Sequence, residues 1–181
     1  MEQGPKPQFR ITELTVDNLD AADDMRRQSW LDTYVNDEAG VTREWIEARN
    51  AAKSTPAARE ERREQIRAGN VHGWVAMNEQ GEVIGVTHPW IDDGGRQRLG
   101  SLYVDKRYHG LGVAAELMQR AINWFDTSKP IELGVVAYNK RAKAFYGKWG
   151  FREVPGSEDL FDGVIPEVKM VRQGGSHGVV R

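Results

Sequence analysis

The stretch with the clearest capacity for chemistry is Leu102-Tyr-Val-Asp-Lys-Arg-Tyr-His-Gly-Leu-Gly-Val-Ala-Ala-Glu-Leu-Met118, a strand-like run, a loop with glycines at 110 and 112, and the start of a long helix. A helix start leaves several backbone N–H groups unpaired and carries about half a positive charge, so small residues there can cradle an anion such as a phosphate. Glycine lets the backbone come close to that anion. Two other nucleotide motifs are absent: the Gly-Lys-Ser/Thr ending of a P-loop and the third glycine of the dinucleotide fingerprint. A second stretch, Asn139-Lys-Arg-Ala-Lys-Ala-Phe-Tyr-Gly-Lys-Trp-Gly-Phe151, places Ala142, Phe145 and Trp149 on one helical face suited to core packing. Asn139 reads first as the cap of that helix, and Tyr146 by spacing alone as one more aromatic on its face. The chain has no cysteine, so disulfides, thiolate metal sites and a cysteine nucleophile are excluded, and its 4 histidines show no metal-ligand spacing.

Several elements must position these stretches. Phe9 to Leu14 alternates as a half-buried strand. Ala22, Met25, Trp30 and Tyr34 recur at loose helical spacing over Leu19 to Tyr34, with Asp20 as the expected cap. Further helices are expected from Thr42 and from Thr55-Pro56, the latter with proline at the first helical position. Arg59-Glu-Glu-Arg-Arg-Glu-Gln65 reads as a solvated helix face laced with short-range ion pairs and is assigned no function. His72 to Met77 and Val83 to Thr87 predict a hairpin around Asn78-Glu-Gln-Gly81, and Arg98 to Val104 a third antiparallel strand after the Asp92–Gly95 turn. From Gly112 to Phe125 the period changes to 3.6, with Val113, Leu117, Ala121 and Phe125 stacked. Ile131 to Ala137 is a buried strand, Asn139 to Trp149 a helix ended by Gly150, and Phe151 to Val154 and Val168 to Val171 close the sheet. This order predicts an α+β sandwich around a mixed, largely antiparallel sheet.

With both stretches in place, the chain resembles the GNAT superfamily of acetyltransferases. Tyr108-His-Gly-Leu-Gly-Val-Ala114 is similar to that family's pyrophosphate loop, Q/R-x-x-G-x-G/A, matched by His109, Gly112 and Ala114. The register starting at Arg107 is set aside because the family places an aromatic just before the first motif position, where Tyr108 stands. His109 in place of Gln or Arg is the departure. The second stretch is similar to N-x-x-A-x-x-F-Y-x-x-x-G-F, and the region from Leu133 to Phe151 also resembles the polyamine-acetylating branch.

The resemblance implies a GNAT-like α/β/α sandwich over residues 9–172, with 1–8 and 173–181 as loose termini. It implies acetyl-coenzyme A as donor cosubstrate without a metal, held by Leu102, Tyr103, Val104, His109, Gly110, Leu111, Gly112, Val113, Ala114, Ala115 and Asn139. The acceptor would be an amine, either a small polyamine-like molecule or a protein amino group, attacking the thioester directly in a ternary complex. A backbone N–H of Leu102 to Val104 would serve the oxyanion. Tyr146 would protonate the leaving thiolate, since a phenol with pKa of about 10 stays protonated at neutral pH. Some relatives carry a glutamate where Gly134 stands, so no general base is named; Glu132 and His88 are polar groups in or beside the central strands. Trp30 and Tyr34 are expected either to line the acceptor pocket or to belong to the core. The alternative to an enzyme is a non-catalytic domain that senses acyl-coenzyme A.

Composition bounds the remaining classes. At 181 residues one domain is expected. Lysine and arginine number 25 against 27 aspartates and glutamates, a formal charge of -2 that predicts no nucleic-acid partner and leaves room only for local basic patches. Without a signal-peptide pattern or a long apolar run, the chain is expected to be cytoplasmic and not bound to membrane. A homodimer is an expectation carried by the resemblance alone.

Overall fold

A computed structural model describes residues 8–175. The chain runs β1 (Phe9–Glu13), α1 (Val16–Tyr34), α2 (Arg43–Ala52), α3 (Pro56–Arg67), β2 (Trp74–Asn78), β3 (Val83–Ile91) and β4 (Gln97–Val104). It continues through α4 (Val113–Trp124), β5 (Ile131–Val136), α5 (Lys140–Lys148), β6 (Arg152–Glu153), β7 (Asp159–Phe161) and β8 (Ile165–Arg172). The strands form one sheet in the order β1-β2-β3-β4-β5-β8-β6, with β7 also on β8. Every pairing is antiparallel except β4 with β5. The expected α+β sandwich with a largely antiparallel sheet is therefore the observed one. None of the helices among the described residues is long and apolar enough to cross a membrane.

One face of the sheet is covered by α4 and α5. Val113, Leu117, Met118, Ala121 and Ile122 of α4 are buried, while Glu116, Gln119, Arg120 and Asn123 face water, as the 3.6 period requires. Each fully buried Leu or Ile there contributes about 1.5–3 kcal/mol. The opposite face carries α1 and α2, with Trp30, Val41, Ile46, Val136 and Ile165 in one cluster. α3 buries no residue of its own and docks on α1 through charges: Arg63 reaches Asp20 at 2.5 Å and Arg62 reaches Asp23 at 3.1 Å. The charged run is thus more than a solvated face with local pairs; its arginines bridge two helices.

The junction of β4 and β5 sets the shape of the site. The two strands pair only at Gln97–Ile131 and Arg98–Glu132, then part. Buried Gln97 secures the vertex: its amide donates to the carbonyls of Asp126 (2.9 Å) and Pro130 (3.2 Å), and its oxygen accepts from the Asp126 N–H (2.7 Å). Just past the vertex the β3 partners step from Leu99 to Ser101, leaving Gly100 as an extra, unpaired residue. Such a bulge bends its strand and re-aims the side chains beyond it. Leu99 accordingly packs toward α4, whereas Tyr103 packs toward α1.

Three expectations are corrected. Asp20 is not the cap of α1: the helix begins after Thr15, whose N–H donates to Asn18 Oδ1 at 2.8 Å, and the weak apolar pattern of the first turn hid it. β3 runs to Ile91 through Pro89, tolerated where the register with β4 shifts. β8 starts at Ile165, not Val168, because Pro166 sits inside the strand, and β7 was not anticipated since its three residues are all exposed. The expected loose termini fall at residues 1–7 and 176–181 outside the described residues, while the Gly175 N–H donates to the Thr127 carbonyl at 3.0 Å.

Candidate functional site

The glycine loop is built to leave amides free. After β4, Asp105 caps a short 3-10 turn over Lys106–Tyr108, and the Tyr108 hydroxyl is held by Asn78 Nδ2 at 2.9 Å. Gly110 (φ 80°) and Gly112 (φ 92°) lie in the left-handed region, where a side chain costs about 1–2 kcal/mol. Gly112 caps α4 without a side-chain hydrogen bond, and the first amide the helix uses is that of Glu116, bonded to the Gly112 carbonyl at 3.1 Å. The N–H groups of Val113, Ala114 and Ala115 therefore have no intrahelical partner and sit at the positive end of the dipole.

His109 does not project freely. Its Nε2–H donates to the Val104 carbonyl at 2.9 Å, and its Nδ1 accepts from the Arg141 guanidinium, which fixes the neutral tautomer. Burial, and next the Arg141 charge, lower its pKa. The residue in the family's first motif position thus fastens the end of β4 to the start of α5. It also brings Arg141 to the glycine loop, a cation the sequence analysis overlooked although it lies two residues past Asn139.

A cleft of about 480 Å³ occupies the gap between β4 and β5 and continues to the start of α4. It gathers Leu102, Tyr103, Val104, His109, Gly110, Gly112, Val113, Ala114, Ala115, Asn139, Tyr146 and Tyr34. Leu111 stays outside it, 39% exposed. Past the vertex β3 is the one strand paired with β4 among the described residues, so alternate backbone amides of the other edge face the cleft. Asn139 caps α5, its side chain accepting from the Ala142 N–H at 3.0 Å. Tyr146 packs among the core rings of Phe145 and Phe151, yet its hydroxyl has no hydrogen-bond partner among the described residues. Burial, and next Tyr103, push its pKa far up, so it stays protonated.

A second cavity of about 180 Å³ lies on the α1 and α2 side. It shares Tyr34, Gly100, Ser101, Tyr103 and Gly134 with the cleft, so the two spaces adjoin where the strands part. Trp30 borders this cavity and not the cleft, with the Arg49 guanidinium 4.1 Å above its ring. The Tyr34 hydroxyl donates to that of Tyr103 at 3.1 Å, and burial first raises both pKa values.

At the shared boundary stands a residue that the sequence analysis missed. The Glu167 carboxyl on β8 occupies the space that a side chain at Gly134 would need. Burial, then the neighbouring Asp159, raise its pKa. A strand starting at Val168 leaves it out, whereas the alternation Ile165-Pro-Glu-Val-Lys-Met170 places Glu167 and Lys169 on one face. Glu132 instead lies 3.7 Å from both Arg98 and Lys169, and neither it nor His88 borders either cavity.

Comparison with known proteins agrees with this fold. The PaiA N-acetyltransferase of Thermoplasma acidophilum, solved in complex with coenzyme A, superposes with a TM-score of 0.72 at 21% identity, covering 92% of this chain and 99% of that one. A GNAT-family acetyltransferase from Staphylococcus aureus gives 0.65 at 19% identity, covering 92% and 99%. Ard1 of Thermoplasma volcanium gives 0.65 at 18%, covering 92% and 97%. At these identities the likeness is one of fold. Among curated proteins none matches. The sequence model described as "Acetyltransferase (GNAT) domain" matches residues 31–173 of the 181, and the chain therefore belongs to the GNAT family of acetyltransferases.

Proposed function

We propose that the chain transfers an acetyl group from acetyl-coenzyme A directly to an amine, with both substrates bound at once from opposite sides of the β4–β5 gap. The observation that carries this is the meeting of two unlike cavities at Gly134 and Ser101, one headed by free helix amides and the other containing a carboxylate. A sensor of acyl-coenzyme A would have no use for the second.

The donor's diphosphate suits the amides of Val113 to Ala115 and the Arg141 guanidinium. Edge amides of Leu102 to Val104 are available to an oxyanion at the gap. Glu167, ionised, takes a proton from the incoming ammonium so that the nitrogen lone pair can attack the thioester carbon. As the C–N bond forms and the C–S bond breaks, the Tyr146 hydroxyl gives its proton to the sulfur, the nitrogen loses its second proton to solvent, and Glu167 returns its own to solvent. Tyr146 is then reprotonated from solvent, so one proton is released per amide formed.

The test is a rapid-mix single turnover with acetyl-coenzyme A and a pooled amine set, following free thiol and acetylated amine together. Equal yields of thiol and amide are expected. Coenzyme A uptake without amide formation would leave the sensor reading standing.

A further inference from the structure

The second cavity is unlike a receptor for a polycation. Its lining carries Arg26, Arg27, Arg49 and Lys53 against one carboxylate, Glu167. Three of these cations are held in place from outside: Arg26 by Asp23 at 3.0 Å, Arg27 by Asp24, and Arg49 by Asp162 at 2.5 Å. None of those aspartates borders the cavity. Lys53 is exposed, and among the described residues neither its ammonium nor the Glu167 carboxylate has an ion pair or a side-chain hydrogen bond. The cavity therefore offers one unmatched negative group beside the transfer point and an unmatched positive group, with fixed guanidiniums, elsewhere on its wall. Opposite charges held apart in this way fit a molecule charged in the reverse sense at its two ends.

We propose that the acceptor is a small amine that also carries an anionic group, a carboxylate or a phosphate, with the amine at Glu167 and the anion at Arg26, Arg27 and Lys53. This rests on the acetyl-transfer reading above. A polyamine entering the same space would bring its remaining ammonium groups against four cationic side chains, and the unpaired carboxylate can serve only one of them. Size points the same way: about 180 Å³ is small beside the roughly 300–1,000 Å³ of sites for drug-sized ligands. Arg49, stacked on Trp30 and 5.2 Å from the Phe161 ring, forms a firm side wall.

The experiment compares acceptors that differ only in the anion, using the full chain at saturating acetyl-coenzyme A: amino acids against their carboxamides, aminoalkyl phosphates against the amino alcohols, linear polyamines, and peptides with an acidic second residue. The anionic member of each small pair is expected to show kcat/KM higher by about tenfold or more, the worth of one charge-assisted hydrogen bond. The carboxylate and phosphate pairs show which anion is preferred. Lys53→Gln, at an exposed position, and Arg27→Gln are expected to shrink that ratio through KM, with kcat and the thermal shift by coenzyme A retained. Equal rates within the pairs, better turnover of polyamines, turnover of peptides alone, or an unchanged ratio in both variants would overturn the proposal while leaving acetyl transfer intact. No acetylation of any amine, despite coenzyme A uptake, would instead overturn the transfer reading and this one with it.

Discussion

The two cavities that meet at the β4–β5 gap are made of different material. On the side proposed for the donor the free polar groups are backbone amides of one continuous loop and helix start, held by Gly110 and Gly112 in left-handed geometry. On the side proposed for the acceptor they are side chains gathered from α1, α2, β4, β5, β7 and β8, with charges fixed by partners outside the cavity. A backbone site depends on a short run of residue types, and almost any chemistry-neutral change elsewhere leaves it intact. A side-chain site can be rewritten one residue at a time without touching the fold, so family membership fixes the donor far more tightly than the acceptor.

Variants that act at the boundary should have the largest effects, because both sides depend on it. Tyr146→Phe should lower the single-turnover rate about 10²–10³-fold with coenzyme A affinity nearly unchanged; a full rate would remove the phenol from the chemistry. Glu167→Gln should lower kcat/KM about 10²-fold at neutral pH. The wild-type rate should rise with pH through the Glu167 pKa, which burial and Asp159 hold above the ordinary carboxylate value, and the Gln variant should lose that limb. The comparison is sharpened by Gly112→Val, which should weaken coenzyme A about tenfold in a direct titration and leave the acceptor KM alone. A matching change in acceptor KM would mean that the sides are not independent.

Stability effects should be smaller still. Asn139→Ala removes the α5 cap and should cost about 1 kcal/mol in urea unfolding. Glu167→Gln should be mildly stabilising at neutral pH. A carboxyl whose folded pKa is raised contributes stability below its unfolded pKa and loses it as pH rises through the folded value, so the wild type, unlike the variant, should weaken across that window. Thermal unfolding of both proteins at acidic and neutral pH checks this.

The contrast in material also explains what could be read in advance. The sandwich, the α4 face and the glycine loop were legible because each depends on local periodicity or on glycine at positions of positive φ. The cap of α1 was misplaced because Thr15 and Asn18 satisfy each other without any strong apolar pattern beside them. Glu167 and the arginine cluster were invisible for another reason. Their meaning comes from strands and helices far apart in the chain, and from the empty space that Gly134 leaves for a neighbour's side chain. The bridging of His109 to Arg141 likewise depends on a partner 32 positions away.

Gln97 touches neither cavity, yet the spread of the two half-sheets is inherited from the junction it secures. It works as the rivet of a pair of open shears: the blades carry the cutting surfaces, and the rivet helps keep them registered as they diverge. Loosening it would blur recognition of donor and acceptor together, a signature that no single change on either blade would produce.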